Sequence, residues 1–165
     1  MKSKAKYIAE GALTAALYVL LTVLSAAFGL SGGVIQLRLS EALCVLPLFM
    51  PSSVIGLFVG CIIANIITGA VVADVIVGSL ATLIAAAVLS LMKRIPKMPA
   101  ILAPLPNIVF NTAAVPFVLR YAYGVTELLP YLFLTVGVGE IVSSGVLGCA
   151  FAAFLGRHKD IMKLG

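Results

Sequence analysis

Seven residues carry side chains suited to chemistry, and all stand in or beside apolar stretches: Gln36, Arg38, Glu41, Asp74, Asn107, Asn111 and Glu140. Carboxylates accept from adjacent N–H donors or pair with a cation, while amides and a guanidinium donate to carbonyl oxygens. Such a set suits capture of a small polar molecule. It does not suit catalysis, which needs a convergent nucleophile, base or metal. His158 is the sole histidine and lies in a basic tail. Cys44, Cys61 and Cys149 are odd in number and widely spaced within apolar segments, so they suggest neither a disulfide framework nor a metal site. Glu140 and Asp74 are expected to differ in depth by about 15 Å from the helix rise, too far for a catalytic carboxyl pair. No G-x-x-x-x-G-K-[ST] phosphate loop occurs. The expectation is a protein that is not an enzyme and has no cofactor and no metal.

Each candidate has a functional and a structural reading. Glu140 lies ten positions beyond Pro130, about 15 Å along a helix, near a bilayer midplane. An ionisable group there costs about 2.5–3.5 kcal/mol on insertion scales and faces a polar cavity or a partner. It either contacts a ligand or is a structural carboxyl held by Thr or Asn. Asn107 and Asn111, four apart, share a helix face, with Asn111 at the depth of Glu140; they serve a ligand or act as interhelical glue. Pro104, Pro106 and Pro116 surround them and are expected to distort the helix and free backbone carbonyls. Asn65 reads as glue. Asp74 opens a helix, where the backbone dipole favours a carboxylate. Arg38 and Glu41, three apart, suit a local ion pair, and Tyr121, Tyr123 and Tyr131 suit an aromatic belt.

The elements that must position these groups follow from composition. With 62% hydrophobic and 10% charged residues over 165 positions and a mean hydropathy of +1.22, the expected fold class is an all-α integral membrane protein, a six-helix bundle forming a single transmembrane domain over 1–165. The apolar segments run over about 7–29, 39–50, 52–72, 74–93, 100–122 and 130–156. The first is read as a retained helix, since it exceeds a signal-peptide core and lacks a cleavage site. Segment 39–50 is short: an α-helix there rises only about 18 Å, and Pro47 and Pro51 end it. Charge parity makes it a crossing nonetheless. Nine of the eleven basic residues cluster at Lys2, Lys4 and Lys6, at Lys93, Arg94 and Lys97, and at Arg157, Lys159 and Lys163. All three clusters are cytoplasmic only if an even number of spans separates them. Six spans satisfy this, with both termini cytoplasmic and Arg38, Glu41, Asp74, Arg120 and Glu127 toward the outside. The net charge of +5 then serves topology and the lipid bilayer rather than nucleic acid.

Small residues four apart let membrane helices approach closely. Gly56, Gly60 and Ala64, Gly78, Thr82 and Ala86, and Ser144, Gly148, Ala152 and Gly156 form such stripes. In the first helix Ala9, Ala12 and Ala16 belong to a small-residue region covering more than one face, open to internal packing or to a partner.

The run Val34-Ile-Gln-Leu-Arg38-Leu-Ser-Glu41-Ala-Leu, followed by Pro47, by Gly56-Leu-Phe-Val-Gly60-Cys61 and by Asp74-Val-Ile-Val-Gly78-Ser-Leu-Ala-Thr82, resembles the queuosine-precursor transporter (QueT) family over essentially the whole chain. These are substrate-binding S components of energy-coupling factor (ECF) transporters of the bacterial cell membrane. The resemblance implies a six-helix protein that takes a 7-deazaguanine queuosine precursor from outside and docks on a transmembrane coupling subunit driven by two ATPase subunits, which accounts for the missing phosphate loop. It also implies that Ala9, Ala12 and Ala16 meet that coupling subunit and that the S component topples during transport. On this reading Glu140, Asn111 and Asn107 form the floor of a site, Asp74 a wall, and residues 36–41 with Gln36, Arg38 and Glu41 the outer cap. The alternatives are an S component for another vitamin or nucleobase-like heterocycle and a structural or regulatory membrane protein. A self-sufficient secondary transporter is disfavoured, because no inverted repeat is evident.

Overall fold

The computed structural model describes residues 4–30, 36–96 and 98–157. Lys2, Val34, Ile35, Lys97, His158, Lys159 and Lys163 lie outside them. Among the described residues every regular element is helical: α1 (Lys4–Ala27), a 3-10 helix (Leu39–Leu48), α2 (Ser53–Ile67), α3 (Val72–Met92), a single 3-10 turn (Ala100–Leu102), α4 (Leu105–Tyr121), α5 (Leu129–Glu140), a π-helical stretch (Ile141–Val146) and α6 (Leu147–Arg157). The last three run on as one continuous helix.

The bundle inverts the polarity of a water-soluble one. Thr14, Tyr18, Thr22 and Ser25 of α1 are buried, while Ile8, Leu13 and Leu20 of the same helix are exposed. The same contrast recurs in α2, where Asn65 is fully buried and Ile66 lies outside. Apolar surface facing outward needs lipid, and among the described residues four helices are long and apolar enough to cross a membrane: Lys4–Ala27, Val72–Met92, Ala100–Tyr121 and Leu129–Arg157. The chain is thus a multi-pass membrane protein.

The two remaining apolar helices are shorter. Ser53–Ile67 stops short of the expected 72 because Gly69 takes a left-handed conformation (φ 74°) and the Ala70 N–H returns to the Asn65 carbonyl at 2.9 Å, closing the helix end. Leu39–Leu48 is wound as 3-10 rather than α, so its ten residues rise about 20 Å instead of about 15 Å. All its residues from Ser40 to Pro47 except the half-buried Ala42 are buried, because it runs through the bundle against α1, α2, α3, α6 and the π-helical stretch. Three hydrogen bonds from α1 secure its start: Ser25 Oγ accepts from the Leu39 N–H at 2.9 Å, Thr22 Oγ1 donates to Ser40 Oγ at 2.8 Å, and Tyr18 Oη donates to Glu41 Oε1 at 2.6 Å.

Glycine sets the helix spacing. A Cβ on Gly60 would lie 2.9 Å from Tyr18 Cβ, and one on Gly56 would lie 2.8 Å from Thr14 Cβ, so α1 and α2 touch along that stripe. Gly148 brings α6 onto the 3-10 helix, where an added Cβ would meet Val45 Cγ1 at 3.2 Å. The prolines act differently from expectation. Pro104 and Pro106 sit at the start of α4, where the fixed φ and missing N–H suit the first turn, and only Pro116 lies inside it. The irregular backbone falls instead on the neighbouring helix, in the π-helical turn that begins directly after Glu140. π-turns are rare and cluster at functional sites.

Candidate functional site

Five elements and one connecting segment converge on a single enclosed cavity lined by Gln36, Arg38, Glu41, Asp74, Asn111 and Glu140, with Cys61, Gly78, Thr82, Val115 and Val136. Six of the seven residues singled out in the sequence therefore border one space. The seventh, Asn107, lies one turn below Asn111 and ties the set together. Its Nδ2 donates to Glu41 Oε2 at 2.8 Å and to Glu140 Oε2 at 3.0 Å, while its Oδ1 accepts from Asn111 Nδ2 at 3.1 Å. One amide nitrogen thus holds two carboxylates from different elements at a common point.

The carboxylates are not equivalent. Glu41 is buried and bonded on both oxygens: Oε1 accepts from Tyr18, and Oε2 accepts from Asn107 and from Cys44 Sγ at 3.0 Å. Among the described residues Glu140 receives a hydrogen bond on Oε2 alone, which leaves Oε1 as an acceptor on the cavity. Asp74 is anchored on Oδ2, where Tyr123 Oη donates at 2.9 Å and the Arg38 Nη2 lies 3.6 Å away. Its Oδ1 stays clear because position 78 is glycine; a Cβ there would come within 3.1 Å of it.

The Arg38 and Glu41 ion pair expected from their spacing does not form. Arg38 is the extended N-cap of the 3-10 helix (φ −103°, ψ 110°), so the helical i, i+3 geometry does not apply to it. Its guanidinium turns to Asp74 and donates from Nη1 to Asn65 Oδ1 at 3.2 Å, while the Glu41 carboxylate is taken up by Tyr18, Cys44 and Asn107. Asn65, read as glue, steadies this arginine; its own Nδ2 donates to the Asp74 backbone carbonyl at 3.5 Å. Arg38 Nε is buried and has no hydrogen-bond partner among the described residues. The depth difference expected between Asp74 and Glu140 does not separate them into different sites, because residue counts along single helices do not register a cavity that spans those depths.

Three contributors were missed. Tyr18 and Cys44 hold Glu41, and Tyr123 holds Asp74. For Tyr18 the signal was present: Thr14, Tyr18, Thr22 and Ser25 mark one helical face of polar groups within an apolar span. Tyr123 reads as an interfacial aromatic until Asp74 is placed opposite it. Its phenol lies outside the helices, and burial first, then the negative charge of Asp74, raises its pKa, so it remains a donor.

Net charge decides what the cavity suits. Three carboxylates and one guanidinium border it, so with all four ionised it carries an excess of negative charge. It favours a ligand with a cationic group, or with paired N–H donors facing Glu140. The cavity measures about 20 Å³, roughly the room that one water needs. Anything larger enters only when the lining parts. The predicted partner face is elsewhere: Ala9, Ala12 and Ala16 are exposed on α1, opposite its polar buried side.

A family model described as QueT transporter matches residues 8–157. No curated protein and no solved structure matches the chain.

Proposed function

This chain belongs to the QueT transporter family, and on that footing we propose that it is the substrate-binding S component of an ECF importer whose cargo is a queuosine precursor of the 7-deazaguanine type. It binds the precursor from outside a bacterial cell membrane and delivers it through a transmembrane coupling subunit and two ATPase subunits. The chain forms one domain over 1–165 with six spans and cytoplasmic termini, the 3-10 helix being the second crossing.

The observation that supports this reading is the Asn107 amide bridging Glu41 and Glu140 beneath a cavity that Asp74 and Arg38 close. A guanine-like edge presents adjacent N–H donors, which Glu140 Oε1 accepts. Its carbonyl oxygen takes donors from Asn111 or Arg38 Nε. An aminomethyl cation at the ring's far side pairs with Asp74. Val115, Val136, Cys61 and Thr82 provide the flatter, less polar walls that a bicyclic ring needs. Glu41 is spent on internal hydrogen bonds and sets the field and the position of Asn107, while Gln36 caps the cavity beside Gly139, where an added Cβ would strike the Gln36 carbonyl.

Binding of 7-aminomethyl-7-deazaguanine to the purified protein tests the reading. Charged hydrogen bonds contribute about 1.5–3 kcal/mol, so Glu140→Gln weakens binding by about 10- to 150-fold. Unchanged affinity in folded Glu140→Gln and Asn111→Ala variants rules the assignment out. Co-purification with a coupling subunit and ATPases separates the importer reading from a structural membrane protein.

A further inference from the structure

Tyr123 joins three chain segments at one end of the bundle. Its hydroxyl donates to Asp74 Oδ2 at 2.9 Å and accepts from the Val71 N–H at 3.4 Å, linking the α4–α5 connection to the start of α3. Asp74 Oδ2 faces Arg38 on the segment that leads into the 3-10 helix, and Arg38 returns through Asn65 to the Asp74 backbone. Arg38, Asn65 and Asp74 thus form a closed ring whose Arg38 and Asp74 border the cavity, and Tyr123 is attached to it through Asp74. Tyr123 is held toward it by its own turn. Gly124 adopts φ 69°, the Val125 N–H returns to the Leu119 carbonyl at 3.0 Å, and Arg120 Nη1 donates to the Val125 carbonyl at 2.9 Å.

Accessibility distinguishes this residue from those in the ring. Tyr123 is 41% exposed, whereas Asp74 is 3% and Asn65 0% exposed. Its hydrogen bond to Asp74 is the one whose donor already lies at the surface, so water reaches that donor without unpacking a helix. The lower part of the site has no such release point: Glu41, Asn107 and Asn111 are all buried.

We propose that Tyr123 is a positioning residue that latches the cavity: its hydroxyl holds Asp74, and through Asp74 holds Arg38, in the closed arrangement, so that breaking this contact opens the path for the ligand. Tyr123 acts through Asp74 and does not line the cavity. The proposal rests on the reading of the cavity as the ligand site, and it can be tested without ligand.

Cys61 lines the cavity and is 1% exposed, so its modification by a small charged methanethiosulfonate reports opening. In a Cys149→Ala background, the rate at Cys61 is followed by peptide mass spectrometry for the parent and for Tyr123→Phe, which keeps the ring and removes the hydroxyl. The expected result is labelling at least 5-fold faster with an unchanged thermal midpoint. Asp74→Asn, read by the same assay, should also accelerate labelling, and the double variant should be no faster than the faster single one. A Tyr123→Phe rate equal to the parent's overturns the latch, as does acceleration that multiplies across the two variants. With 7-aminomethyl-7-deazaguanine as probe, Tyr123→Phe should raise both the association and the dissociation rate. A slower association or a Kd change carried by dissociation alone also overturns the latch. Failure of the probe to bind would refute the cargo while leaving the Cys61 result to decide the latch.

Discussion

Removing the Asn107 side chain is the most informative perturbation of the site's foundation. Asn107 is 2% exposed and takes part in three hydrogen bonds, donating to Glu41 and Glu140 and accepting from Asn111. In a water-soluble core, two bonds to charged groups at about 1.5–3 kcal/mol each and a neutral one at about 1 kcal/mol suggest a loss of about 4–7 kcal/mol. Interhelical hydrogen bonds in membrane proteins average nearer 0.6 kcal/mol, because the unfolded state in the bilayer also finds partners, which gives about 2 kcal/mol for three. Here truncation also leaves two carboxylates and an amide facing each other without their bridge, so Asn107→Ala should cost about 2–4 kcal/mol, above that average and below the soluble sum. Reversible unfolding in mixed micelles measures this. In a Glu140→Gln background the loss should differ by at least about 0.5 kcal/mol, since the two residues share a bond. A loss for Asn107→Ala below about 0.5 kcal/mol, or strict additivity with Glu140→Gln, refutes the bridging role.

Gly56→Ala should force α1 and α2 apart, because the new Cβ meets Thr14 Cβ and the Gly11 carbonyl; overpacking of this kind costs about 1–3 kcal/mol in the same unfolding assay. The raised pKa of Tyr123 stabilises the protonated phenol in the folded state, so its contribution is fully present below pH 10, the ordinary phenol value, and is lost as pH rises through the folded pKa. Cys61 labelling, corrected for the reagent's own pH dependence, should then show an alkaline acceleration that is absent from Tyr123→Phe. Ala12→Leu and Ala16→Leu should leave binding by the isolated protein within 2-fold while abolishing uptake in cells that carry the coupling module, because both positions are exposed on α1; loss of binding by the isolated protein would show that this face packs internally.

Much of the architecture could be read from hydropathy, because a helix in lipid must satisfy its backbone internally and apolar runs then mark helices. The observed Lys4–Ala27, Val72–Met92 and Leu129–Arg157 lie close to the expected segments. The 3-10 winding of Leu39–Leu48 could not be read, since the choice between i+3 and i+4 hydrogen bonds is made by the packing of five neighbouring elements. Arg38 illustrates the same limit at the site. Its type and depth announced a role, but its partner depends on whether residue 38 is helical or extended, and the extended N-cap sends it to Asp74 instead of Glu41. Asn107 and Asn111 were placed together by spacing alone, and they do pair. Which carboxylate keeps a free oxygen was beyond sequence, because that follows from Tyr18, Cys44 and Tyr123, each of which has an ordinary role in an apolar helix or at an interface.

The central claim is that a net-acidic cavity resting on Asn107 selects a cationic 7-deazaguanine. Isothermal titration of the purified protein with 7-aminomethyl-7-deazaguanine and with its neutral 7-cyano counterpart tests it most directly, because the two ligands share the ring and differ in charge. The account predicts tighter binding of the aminomethyl compound by at least about 10-fold, as one charged hydrogen bond of about 1.5 kcal/mol requires, with the preference lost in Asp74→Asn. Equal affinities, or a preference for the neutral compound, would contradict it.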